Sequence, residues 1–340
     1  MSLQIECRGV RMRTVIILLI LAVGPRLAHG QPPAPTPPPA PTQPPAPTQP
    51  PPTTTPPTTT TEPQTTTESK PADEGVTFIG AGDIANCEVA GGGGARSTAL
   101  ILDRYPNAVI YTTGDHAYQT GSEKEFRSCY EPTWGRFKTR THPAVGNHDL
   151  ITDKGKPYYD YFGEAAGPRN LGYYSYEVGA WHVIALNSAI PARKGTDQMK
   201  WLAEDLAAHK TECTLAYWHI ARYSSGAHGS DPLMADAWKI LYDAGVDVVL
   251  ASHDHNYERF APMDDKGKPD DKGIRSFVVG TGGGGVYEFK SKAQNSEVRD
   301  NTTYGVLKMV LKPGSYDFEF IPMPGKTFRD SGSGKCSPVK

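Results

Sequence analysis

The sequence predicts an α/β fold in which two mixed β-sheets pack face to face and are flanked by helices. Three observations predict it. Apolar runs alternate with helical periods from about residue 76 to 251, and the runs beyond are strands joined by turn residues such as Pro313-Gly314. Five of the early runs, VTFIGAGD, AVIYTTGD, HPAVGNHD, CTLAYWH and VDVVLASH, end where a metal-type donor appears. Residues just past the carboxyl ends of neighbouring strands in an open α/β sheet converge on one crevice. The runs therefore deliver Asp83, Asp115, Asn147, His219 and His253 to a common place.

The first strand spans 76–80 and leads to Asp83. The glycine run at 91–94 lacks the Lys-Ser/Thr ending of a phosphate-cradling loop and reads as a connection. A helix over about 95–105 stops at Pro106. The strand at 108–113 delivers Asp115 and Tyr118, and Ser122 with Glu125 three residues on signals a capped helix. A short run at 142–145 leads into Asn147 and His148, and strands follow at 172–179 and 182–186. Met199, Leu202 and Leu206 predict a helix over 197–209; Met234, Trp238 and Leu241 mark another, closed by Gly245. The strand at 246–251 carries the chain to His253 and His255. Later runs at 276–280, 305–311 and 316–321 read as antiparallel. His142, His182 and His209 read as structural.

Residues 1–30 have the pattern of a secretory signal peptide. Arg8, Arg11 and Arg13 precede an apolar run at 15–23 that is short for a bilayer, and Ala28-His29-Gly30 offers a cleavage site. The alternative is an uncleaved anchor. Residues 31–74 are mostly Pro, Thr, Ala and Gln, with few large apolar groups to bury, so they read as an extended tether. The tether suits cell-wall or surface association of a secreted protein. The catalytic domain is expected over 75–340. The net charge is −2, and losing the leader's four arginines and Glu6 makes it −5. That balance excludes a nucleic-acid partner, which needs a basic face. No later run resembles a membrane span.

Five cysteines become four once Cys7 leaves with the leader, which suits an oxidising compartment. Cys87 lies just past Asp83, and Cys129 follows the Asp115 segment. Cys213 begins the strand that reaches His219 and so lies about 20 Å from the donor end. A disulfide needs Cα atoms within about 7 Å. The expected pairs are Cys87–Cys129 and Cys213–Cys336.

The donor types point to a two-metal hydrolase. Phosphate ester hydrolysis needs negative oxygens neutralised and a water made nucleophilic, which two cations about 3.5–4 Å apart can do. Cations that close need a bridging carboxylate, and Asp115 is placed for it. Taken singly, Asp83 reads as a turn residue, Tyr118 as a packed aromatic, and His219, His253 or His255 as core or surface histidines. Their joint order carries the signal.

That order, Asp83, then GDHAY (114–118), GNHD (146–149), His219 and HDH (253–255), resembles the metallophosphoesterases, and within them the purple acid phosphatases. The resemblance covers nearly all of 76–330 and implies the four-layer sandwich of that family. Ala85 stands where many relatives carry a ligating His, while Tyr118 matches the tyrosine of the purple branch. The resemblance implies Asp83, Asp115, Tyr118 and His255 around a first ion, Fe(III). It implies Asp115, Asn147, His219 and His253 around a second, Fe(II), Zn(II) or Mn(II). Phenolate and carboxylates suit a trivalent ion, imidazole and amide a divalent one. His148 would serve as outer-sphere acid, oriented by Asp149. His116, Arg222, Tyr223 and His228 are candidates for the phosphate pocket. Ser252 and Ile220 depart from the family pattern, which puts a glycine and, in some relatives, a histidine there.

The implied activity is that of a secreted acid phosphatase cleaving small phosphomonoesters by attack of a metal-bound hydroxide. Two alternatives stay open: a phosphodiesterase or nucleotidase on the same core, and a surface interaction module with a vestigial site.

Overall fold

The computed structural model describes residues 74–337. The expected leader at 1–30 and all but the last residue of the tether at 31–74 lie outside them.

Two large mixed sheets form the body. The first runs in the order Asp330–Lys335, Ser315–Pro322, Gly305–Lys312, Val76–Ala81, Val109–Thr112, Thr141–Pro143. Its last three strands are parallel and the others antiparallel. The second runs Ser296–Asp300, Tyr257–Phe260, Arg275–Val279, Val248–Ser252, Cys213–Ile220, Trp181–Ala185, Tyr174–Val178. Its four central strands, from Arg275–Val279 to Trp181–Ala185, are parallel. Parallel strands need both faces covered, and the Cys213–Ile220 strand shows how. Leu215 and Tyr217 enter a core shared with the first sheet, where Phe78 lies 6.3 Å from Tyr217. Ala216 and Trp218 enter a second core against the helices Asp197–Ala208 and Ala235–Ala244. A strand alternates its side chains between faces, so an unbroken apolar run feeds two cores at once.

Most expected elements are present within a few residues. Gly245 closes its helix at φ 82°, a backbone that Cβ-bearing residues resist. The Ser122–Glu125 capping box forms, but only Glu123–Glu125 is α-helical before a π turn at Phe126–Tyr130. One expectation is corrected: Arg275–Val279 runs parallel to Val248–Ser252, not antiparallel. The unforeseen strand Tyr257–Phe260 turns back along its far side, so the connection behaves as a crossover.

Both disulfides pair as expected, Cys87 with Cys129 and Cys213 with Cys336, at Cα separations of 5.6 and 5.3 Å.

His182 is buried between Glu177 and Asp205, at 2.7 Å from each. Burial alone would lower its pKa, but the hydrogen bond to Asp205 and then the one to Glu177 raise it above the usual value. Stability from this contact is full below the unfolded histidine's pKa near 6.5 and is lost as pH rises through the higher folded value. The urea midpoint should therefore fall as pH rises above about 6.5, and His182→Gln should remove that part of the slope.

Candidate metal centre

Five of the predicted donors sit at or just past the carboxyl ends of parallel strands, while Tyr118 lies in the short strand Ala117–Tyr118 and His255 two residues past His253. Asp83 follows Val76–Ala81, Asp115 follows Val109–Thr112, Asn147 follows Thr141–Pro143, His219 lies in Cys213–Ile220, and His253 follows Val248–Ser252. Asp83, Asp115 and His253 hold left-handed backbone, with φ of 57°, 53° and 72°. Such torsions are unfavourable for Cβ-bearing residues and gather at functional sites. Gly146 shows why its position admits no side chain: a Cβ there would stand 2.0 Å from Asp115 Oδ1.

Two groups of donors share one carboxylate. In the first, the Tyr118 hydroxyl lies 2.7 Å from Asp83 Oδ1, 3.1 Å from Asp115 Oδ2 and 3.0 Å from His255 Nε2. In the second, His219 Nε2 lies 3.1 Å from the same Asp115 Oδ2 and 3.2 Å from His253 Nδ1. Asp115, His219 and His253 offer ligand atoms within 4.8 Å of one another. Asp115 Oδ1 is held by the His148 backbone N–H at 2.9 Å, which leaves Oδ2 facing both groups.

The donor set fits two cations. Asn147 Oδ1 is buried and accepts no hydrogen bond. A buried polar atom left without a partner is costly, so the amide suits an ion beside it. His219 Nδ1 lies 2.8 Å from the Thr113 carbonyl, which can only accept. Nδ1 therefore carries the proton and the Nε2 lone pair is free for a metal, the usual outer support of a ligating histidine. The Ser252 hydroxyl donates to the same carbonyl at 2.7 Å and lies 3.0 Å from His219 Nδ1. Ser252 has no left-handed torsion, so the loss of glycine there costs no strain.

The electrostatics agree with a site built to receive positive charge. Burial would raise the Asp83 pKa, yet the His255 imidazole beside it holds the carboxyl well below the usual range. Burial likewise opposes ionisation of Asp115, and His219 outweighs it. Burial would lower the His219 pKa, but Asp115 pushes it up to about 9. Burial and then the charge of His219 push His253 down to about 4. Burial, then Asp115 and Asp83, raise the Tyr118 phenol well above 10.

Several sequence expectations change here. Asp149 does not orient His148. Its buried carboxylate accepts from Asp115 N, His116 N, His116 Nδ1 and Gly146 N at 2.9–3.0 Å. It locks two donor loops together instead. His116 does not line a pocket: it is fully buried among Phe126, Tyr130, Tyr158 and Phe162, with Nε2 2.6 Å from Thr112 Oγ1. An imidazole that satisfied on both nitrogens is a packing element. Tyr223 packs on Trp238 at 5.0 Å, and the Arg222 guanidinium covers the Tyr223 ring at 4.5 Å.

His228 does reach the site, its ring centroid 4.1 Å from His253. Asp254 holds that loop by accepting from His228 N at 2.7 Å, Gly229 N at 3.1 Å and Ser224 Oγ at 2.5 Å. His148 is part-exposed, its Nδ1 2.6 Å from the Gln119 carbonyl and its ring 4.7 Å from that of Tyr118. Tyr287 went unrecognised in the sequence. It stacks on His255 at 4.0 Å with an interplanar angle of 12°.

The model of the calcineurin-like phosphoesterase family matches residues 76–257, more than half of the chain. The chain belongs to the calcineurin-like phosphoesterase family. Within it, the chain resembles the purple acid phosphatases. It is 29% identical over 233 residues to purple acid phosphatase 18 of Arabidopsis thaliana, covering 63% of this chain and 51% of that one. It is 36% identical over 215 residues to purple acid phosphatase 21 of the same plant, covering 54% and 49%. A purple acid phosphatase from yellow lupin (Lupinus luteus) seeds shares the phosphoesterase fold, with a TM-score of 0.62 at 20% identity over 77% of this chain and 54% of that one. The chain spans about half the length of the curated relatives it matches. Among the described residues, no helix is long and apolar enough to cross a membrane.

Proposed function

We propose that the protein is a secreted, binuclear-metal acid phosphatase acting on small phosphomonoesters. The observation that carries this reading is Asp115 Oδ2, shared between the Tyr118 and His219 groups. Asp83, Asp115, Tyr118 and His255 would hold Fe(III), and Asp115, Asn147, His219 and His253 would hold Fe(II), Zn(II) or Mn(II). Such ions neutralise phosphoryl charge and acidify a water.

The remaining work falls to the chain. Asp115 sets the spacing of the two groups, and Asp149 fixes Asp115. His148 donates its Nδ1 proton to Gln119, so Nε2 is the nitrogen able to exchange a proton with the leaving alkoxide. His228 and Tyr287 border the donor cluster and would restrict how an ester approaches. Residues 75–340 would form the catalytic domain, 1–30 a removed leader, and 31–74 a tether to a wall or surface, a reading supported by composition.

Turnover of para-nitrophenyl phosphate against bis-para-nitrophenyl phosphate at acidic pH tests the reading. A higher kcat/KM for the monoester is expected. A strong preference for the diester would move the assignment to phosphodiesterases.

A further inference from the structure

Beside Asn147 lies a groove of about 760 Å³, within the range of small-molecule sites. Ile190, Pro191, Ile220, Pro232 and Leu233 line it. Its charged lining residues are Arg193 and Asp231, and the Asp231 carboxylate is already used, accepting from Leu233 N at 2.7 Å. Leu233 is 36% exposed, a large apolar group left facing solvent at the edge of a polar centre.

The walls are fixed before any ligand arrives. Asn187 and Gln198 exchange two hydrogen bonds at 2.7 and 3.0 Å, and Asn187 Oδ1 accepts from Ala189 N at 2.8 Å. Ser188 Oγ accepts from Ile220 N at 2.9 Å, tying this wall to the strand that carries His219. Arg193 could meet one hydroxyl of a polyhydroxylated alcohol, but the apolar walls would leave the others unmatched. An apolar one would gain by leaving water.

We propose that the site selects phosphomonoesters whose alcohol half is an apolar ring or alkyl chain, seated in this groove while the phosphoryl group meets the donors beside Asn147. The proposal rests on the phosphomonoesterase reading above. The groove supplies the selectivity and the donor cluster supplies the chemistry. Exchange of Leu233 or Ile190 therefore changes KM for apolar esters and leaves kcat.

Cyclohexylmethyl phosphate and glycerol 1-phosphate test this, because both leave as primary alkoxides. The full-length metal-loaded protein should show a KM about tenfold lower for the cyclohexylmethyl ester. Leu233→Ser, and separately Ile190→Ser, should erase most of that difference with kcat and glycerol 1-phosphate turnover within twofold. Equal KM values, or a preference untouched in both variants, would overturn the selectivity while leaving a working phosphatase. Should neither ester be turned over, the phosphomonoesterase reading fails on its own account. Calorimetry with cyclohexylmethylphosphonate against methylphosphonate then decides the groove. Tighter binding of the former, lost in Leu233→Ser, sustains it, and equal binding refutes it.

Discussion

Asp149→Ala is expected to destabilise the fold by about 3–5 kcal/mol and to abolish turnover with it. The carboxylate accepts four hydrogen bonds, three of them from backbone N–H groups of Asp115, His116 and Gly146. Those donors are buried, and each loses its acceptor in the variant. Each unsatisfied N–H costs on the order of 1–3 kcal/mol, partly recovered by relaxation. The loop carrying Asp115 would also lose its anchor to the loop carrying Asn147. Urea denaturation of the purified variant measures the first effect, and phosphatase assay the second. If Asp149 acted on His148 instead, turnover would fall with little loss of stability.

Asn147→Ala should behave in the opposite way. Its amide oxygen is buried without a hydrogen-bond partner, so removal forfeits no hydrogen bond to that oxygen. Stability of the chelator-treated protein should stay within about 0.5 kcal/mol of the parent. Activity should drop by at least the 10–100-fold that loss of an outer partner of a metal site brings. Denaturation in chelator together with kcat/KM after metal loading checks both halves. Near-parental turnover would remove Asn147 from the centre.

The donors were legible in the sequence because each combines two independent signals, an apolar strand and a ligand-type residue at its end. Asp83, Asp115, Asn147, His219 and His253 all satisfy both, and His255 follows two residues later on the same turn. Asp149 carried a false cue. Its neighbour in sequence is His148, but its partners are the backbone N–H groups of residues 115, 116 and 146 and the His116 imidazole. No residue type announces a backbone donor. His116 misled for a related reason, since a histidine in a motif reads the same whether it faces a pocket or an aromatic cage. Tyr287 follows a glycine loop with no motif of its own, and only tertiary packing puts it on His255. The strand Asp330–Lys335 reads DSGSGK, with no apolar alternation to betray it. It forms at the sheet edge through backbone pairing to Ser315–Pro322. The disulfides were recoverable because strand direction puts Cys213 far from the donor end.

The claim on which the rest depends is that Asp115 holds two ions at once. Elemental analysis of catalytically active protein, expressed per chain, measures this directly. Two ions per chain are predicted, with one of them iron. Full activity with a single ion, or with none, would contradict the account.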